Sequence, residues 1–142
     1  MLFCYRALGM AERTWGLRAV ARSGEVALDL DESTDDRPRT YMLTLAVPGV
    51  ELRFEIASAD AARRLDAFMG KNYGRKAFAE LQIGVLDGLP VRIIKDDEHA
   101  DRFFIIAARD GMIHVTLVDP VAGQLVRATK ELAAAAADIL PG

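Results

Sequence analysis

The chain has 142 residues, of which 51% are hydrophobic and 27% are charged, and its net charge is −3. A chain of this length buries about two-thirds of the surface that its unfolded form exposes, so a single domain over 1–142 needs neither disulfides nor a metal to fold. The slightly acidic balance lacks the positive field that nucleic-acid binders usually carry. These values indicate a soluble globular protein and make nucleic acid the less favoured partner.

Cysteine usage and hydropathy predict the cellular compartment of the protein. Cys4 is the only cysteine, which excludes an internal disulfide and favours a reducing compartment. The apolar opening ends at Arg6, which is too early for a signal peptide, and no stretch is long enough to span a bilayer. We therefore expect a cytoplasmic protein with no membrane partner, in which Met10 is an alternative start to Met1.

The first half of the chain predicts four strands and a helix. The clearest strand follows a Pro48-Gly49 turn, because every second residue from Val50 to Ile56 is apolar and the three between them are charged. Ser58 and Asp60 then satisfy the criteria for a helix start, and Gly70 those for its end. The preceding segments predict strands at Trp15–Ala21 and Glu25–Asp31, a polar loop at 32–38, and a central strand covered on both faces at Tyr41–Val47.

The second half of the chain also predicts four strands followed by a helix. Asp87-Gly88 is a typical hairpin turn, and Asp110-Gly111 is another. Asp119-Pro120 is a strong helix start, from which the last helix should extend to Leu140. The predicted strands are Phe78–Leu86, Leu89–Ile94, a buried strand Phe103–Ala108 and Met112–Val118, with a charged loop at Lys95–Arg102.

The two halves therefore share one plan, and three positions correspond at a constant spacing of 61 residues: Leu52, Phe54 and Ser58 with Ile113, Val115 and Asp119. This predicts an α+β fold with a mostly antiparallel sheet, built from two tandem strand-strand-strand-strand-helix units as pseudo-repeats at about 15–72 and 77–140. The long C-terminal helix should pack on the sheet.

The order of elements resembles that of the PUR and whirly families of single-stranded nucleic-acid binders over nearly the whole chain. That resemblance implies single-stranded nucleic-acid binding as an alternative function.

One compact basic segment is the candidate ligand-binding site. It combines cationic side chains with an aromatic ring that could stack on a base and with Gly74, which permits close approach of the main chain. The more favoured alternative is that basic residues near a helix C-terminus complement its dipole and end in solvent. The candidate residues are Arg63, Arg64, Lys71, Tyr73, Arg75 and Lys76.

Two acidic segments are candidate metal sites. The run from Asp29 to Asp36 resembles a calcium loop, but Thr34 occupies the glycine place and Thr40 the place of the bidentate glutamate. The segment 96–102 surrounds His99 with carboxylates, which suits pH sensing or weak metal binding, yet a solvated loop is favoured. We predict no metal, no cofactor and no catalytic residue.

The favoured function is a non-enzymatic binding or assembly module that self-associates. An open sheet made of hairpins has two edges with unpaired main-chain groups, and Pro90 can blunt only one strand. The smooth surface of Ala133–Ala137 offers a helical interface as an alternative to edge pairing. A homodimer is expected, a different protein partner is the second choice, and an enzyme that uses His99 is the least favoured reading.

Overall fold

The computed structural model describes residues 14–34, 40–107 and 113–137. They form an α+β fold, with an eight-stranded antiparallel sheet whose strands lie in chain order and two helices. The elements are β1 (Trp15–Ser23), β2 (Val26–Ser33), β3 (Tyr41–Val47), β4 (Val50–Ile56), α1 (Asp60–Asn72), β5 (Ala79–Leu86), β6 (Leu89–Lys95), β7 (Phe103–Ala107), β8 (Ile113–Leu117) and α2 (Val121–Ala136).

Some predictions concern residues outside this description. They are Cys4, the two candidate start methionines, the Asp110-Gly111 turn and the end of the last helix at Leu140. Among the described helices, none is long and apolar enough to cross a membrane.

Two hairpin turns form where the sequence predicted them. Gly49 has a φ of 81°, the left-handed conformation that the third position of a Pro-Gly turn requires. Asp87 and Gly88 have φ values of 52° and 82°, so both central residues of that turn are left-handed, as in a type I′ hairpin. These turns fix the register of β3 with β4 and of β5 with β6.

The core lies between one face of the sheet and the two helices. Alternation along each strand turns apolar side chains to this inner face, where Leu28 and Phe54 from the first half meet Ile93 and Ile105 from the second. Leu65 of α1 and Leu125 of α2 close the same space from the other side. Both helices thus bury one apolar stripe against both halves of the sheet.

Three strand predictions need correction. β3 and β7 are not covered on both faces, because Met42 and Phe104 on the outer face are only half-buried. β2 continues through the segment predicted to begin a loop, and Glu32 is buried on its inner face in an ion pair with Arg18. The strand carrying Pro90 is not an edge, since β6 and β7 both lie inside the sheet. The hydrophobic pattern of a strand does not indicate which strands lie beside it or which residues cover its outer face.

The two halves of the sheet meet at a single close crossing. β4 and β5 share only one registered pair, Glu55 with Val85, and β5 has an irregularity between Gln82 and Gly84. A Cβ atom on Gly84 would lie 2.4 Å from Cδ2 of Phe54 and 2.5 Å from the main-chain oxygen of Glu55. Only glycine allows the strands to approach this closely.

We predict that Gly84→Ala destabilises the protein by about 2 kcal/mol or more, because the new methyl group overlaps the backbone of β4 as well as a packed ring. Gly70→Ala is the matched control. It lies in α1 with nothing within 4 Å of the added methyl group, so it should leave stability unchanged or raise it by up to about 1 kcal/mol. Urea unfolding of both variants measures the difference, and equal midpoints would contradict this account of the crossing.

Candidate functional site

Three of the six candidate residues lie on the solvent-facing side of α1. Arg63, Arg64 and Lys71 are exposed, together with Ala67 and Gly70 between them, at the spacing of one helical face. Arg63 forms an ion pair with Asp60 one turn earlier. The helix therefore presents a basic stripe that ends at Lys71, close to its C-terminus as the dipole favours.

Tyr73 has a structural contact that the sequence did not suggest. Its hydroxyl donates a hydrogen bond of 2.7 Å to Oδ2 of Asp119, and this bond raises the pKa of Tyr73. Oδ1 of the same carboxylate accepts the N–H of Gly123 at 2.9 Å, so Asp119 satisfies a first-turn donor of α2 from the position before the N-cap residue, which is Pro120 and not Asp119. A Cβ atom on Gly123 would lie 3.1 Å from the tyrosine oxygen. Tyr73 thus joins the end of α1 to the start of α2.

A buried lysine fixes the remaining basic segment in place. The Lys95 side chain is fully buried, and its ammonium group donates to the main-chain oxygens of Arg75, Asp96 and His99, the last two at 2.6 Å. Its three protons are therefore all used, while burial lowers its pKa. The sequence predicted Lys95 to lie in a charged loop. In the structure Lys95 is the last residue of β6 and lies on its inner face, which buries the side chain.

The segment 96–102 is held by one carboxylate. Oδ1 of Asp96 accepts the N–H of Glu98 at 2.9 Å, and Oδ2 accepts Nε of Arg102 at 2.6 Å and lies 3.0 Å from Nδ1 of His99. The Glu98 N–H, followed by Arg102 and His99, lowers the pKa of Asp96 to about 2, although partial burial opposes the shift. The segment is thus a hydrogen-bonded loop, and His99 is engaged with Asp96. Within the described ranges, no cluster of three or more metal-ligand side chains occurs.

The basic and acidic segments lie against each other. Besides the Lys95 bonds, the N–H of Gly74 donates to the oxygen of Ala100 at 2.8 Å. The exposed cations of Arg75 and Lys76 therefore share one surface region with the carboxylates of the 96–101 loop. Opposite charges at this range reduce the field that either segment alone would produce. The six candidate residues thus divide into an open helical stripe and a partly neutralised turn.

The two edges of the sheet differ in how they are covered. The N–H of Arg22 in β1 donates to Oε1 of Glu131 at 3.1 Å, and the N–H of Glu25 donates to Oε1 of Gln124 at 3.0 Å, so α2 caps the first hairpin. β8 pairs with β7 over all five residues. In the described part of the chain its main chain has no other hydrogen-bond partner. β8 is the open edge of the described sheet.

We predict that Asp96→Asn lowers the free energy of unfolding at neutral pH. In this variant the free energy of unfolding should also decrease less than in the wild type as the pH falls. A carboxylate whose folded pKa lies near 2, below its ordinary value of 3.8, stabilises the fold above pH 3.8, and that contribution disappears as the pH falls toward 2. Urea midpoints at pH 7, 4 and 3 give the comparison. Asp97→Asn, at the exposed neighbour, is the control and should follow the wild type; a parallel pH dependence of all three proteins would contradict the role of Asp96.

Comparisons with known proteins leave the function to be argued from the residues. No family model, no curated protein and no solved structure matches this chain. The function is therefore inferred from three features of the molecule, which are the basic stripe of α1, the contacts between the basic turn and the acidic loop, and the open β8 edge.

Proposed function

We propose that this protein is a non-enzymatic assembly module that self-associates, in its simplest form as a homodimer. The observation that carries this proposal is the open β8 edge. Unpaired N–H and C=O groups along a strand are a template for another strand, and native proteins normally cover or charge such an edge. The sequence Ile-His-Val-Thr-Leu of β8 contains no proline and no Asp, Glu, Lys or Arg, and its pairing with β7 shows no bulge.

The exposed main-chain edge also has a counterpart inside the molecule. We propose that the chain is one domain of two pseudo-repeats, in which β8 corresponds to β4 and Thr116 corresponds to Glu55. The helix starts support this relation, since α1 begins at Asp60, two residues after Ser58, and α2 begins at Val121, two residues after Asp119. Each of the two side chains also accepts an N–H from the first turn of its helix, of Asp60 and of Gly123 respectively. β4 has a neighbour beyond it, through Glu55. The equivalent strand of the second unit would gain one by association.

We propose a cytoplasmic location for this assembly, because the single cysteine of the chain suits a reducing compartment. The smooth helical surface remains the rival interface, since Ala134 and Ala135 of α2 are exposed. Edge pairing is favoured over it because alanine contributes little apolar area, whereas each unpaired main-chain group of β8 gains a hydrogen bond.

Sedimentation equilibrium across micromolar concentrations tests the proposal. We expect a dimer of the 15.5 kDa chain. Ala135→Glu, which puts a charge on the exposed helix surface, should leave that dimer intact. A single species at the chain mass would refute self-association, and a dimer that dissociates on this substitution would move the interface to α2.

Single-stranded nucleic-acid binding is the second candidate, favoured by the charge of the helical layer. Arg127 and Lys130 on α2 are exposed like the basic residues of α1. The positive charge of Arg127 opposes the upward shift of the Tyr73 pKa, so it acts close to the candidate turn. The acidic 96–101 loop beside that turn counts against a strong polyanion site, which is why this function ranks second.

We expect a labelled single-stranded oligonucleotide to bind at low salt through this layer and to be released as the salt concentration rises. Lys71→Ala combined with Arg75→Ala should then reduce affinity by about tenfold, because two cations that can neutralise phosphates are lost. Fluorescence anisotropy at low and physiological salt measures this. Glu51→Ala, on the exposed outer face of β4, is the control. Absence of binding at low salt, or equal binding by the double variant, would remove this candidate.

A further inference from the structure

The geometry points to one specific interface: we infer that β8 pairs antiparallel with β8 of a second copy, about a two-fold axis at Val115. This inference rests on the proposed self-association and assigns it a surface and a register. Its occupant is a second copy of this chain because the five residues of β8 are complementary to themselves, as the following steps show.

Pairing between unlike edges is the first alternative to compare. A β8 edge that joined β1 of the next copy would produce a head-to-tail assembly, which is either a ring or an open chain. However, α2 packs along β1, and the N–H of Arg22 is already taken by Glu131. A second β8 presents an edge without such a cap in the described residues, so the two-fold arrangement leaves fewer competing contacts. It also closes, which matches the common symmetry of small oligomers.

The pleat of the strand restricts the register. Side chains directly opposite one another in a sheet must point to the same face, so an inward residue can only face an inward residue. A two-fold axis at Val115 uses all five residues of β8, whereas an axis at His114 or Thr116 loses overlap at one end. Maximal main-chain pairing therefore selects Val115.

In this register every cross-strand pair is chemically matched. On the inner face Val115 lies opposite Val115 of the partner subunit, and Ile113 lies opposite Leu117 of the partner subunit. Ile113 is only half-buried in the single chain, so a neighbour would cover it further. On the outer face the exposed His114 lies opposite Thr116 of the partner subunit. No like-charged pair is created, and the apolar row of β6, β7 and β8 continues across the axis.

A charge exchange on the outer face tests the register without touching the core. In His114→Glu/Thr116→Glu, two glutamates would face each other at each of two symmetric positions, and we expect the dimer dissociation constant to rise by about tenfold or more. In His114→Glu/Thr116→Lys, each glutamate would face a lysine, and association should return to near the wild-type value. Both positions are exposed, and far-UV circular dichroism checks that each variant is folded.

Sedimentation equilibrium of the three proteins separates the outcomes. A dimeric wild type that is weakened by the Glu/Glu pair and restored by the Glu/Lys pair is the expected result. A dimer unaffected by either pair would overturn the β8 interface while leaving self-association intact. Equal weakening by both folded variants would overturn the register. A monomeric wild type would overturn the proposed function itself, and with it this inference.

Discussion

The close crossing of β4 and β5 is the constraint on which the rest of the structure depends. The two strands share one registered pair, and side chains from both halves of the sheet line the same core space as Leu65 of α1 and Leu125 of α2. Gly84 makes this approach possible, because any side chain there would occupy the space of Phe54 and of the Glu55 carbonyl.

Charged residues at the ends of the inner face are paired within the molecule. Lys95 donates to three main-chain oxygens, Asp96 accepts hydrogen bonds from the N–H of Glu98 and from Arg102, and Glu32 forms an ion pair with Arg18. Such groups must be partnered because an unsatisfied buried charge is costly. Their partners also decide the surface electrostatics, since the Lys95 contacts bring the basic 73–76 turn beside an acidic loop. The charge pattern therefore suits a structural junction better than a strong anion site.

Helix α2, which follows the sheet in the chain, covers one edge of the sheet and not the other. α2 begins directly after β8 but returns across the first hairpin, where its polar side chains bind the main chain of residues 22 and 25 and the hydroxyl of Ser23. One helix of 16 residues cannot cap both edges of an eight-stranded sheet. The described sheet is therefore asymmetric, and its open side is β8, a strand without Asp, Glu, Lys or Arg. This asymmetry connects the fold to the proposed assembly.

The sequence by itself determined the elements. Alternation located the strands to within a few residues, Pro48-Gly49 and Asp87-Gly88 specified turns that need left-handed residues, and Ser58 and Asp119 marked the helix starts, because these signals depend only on residues near in the chain. It also located the exposed basic stripe of α1. Tertiary structure alone decided which strands lie at an edge, that Glu32 and Lys95 are buried, that Tyr73 binds Asp119, and that Gly84 lies at a crossing. Each of these facts depends on a contact between residues distant in sequence, and local hydrophobic periodicity contains no information about such partners.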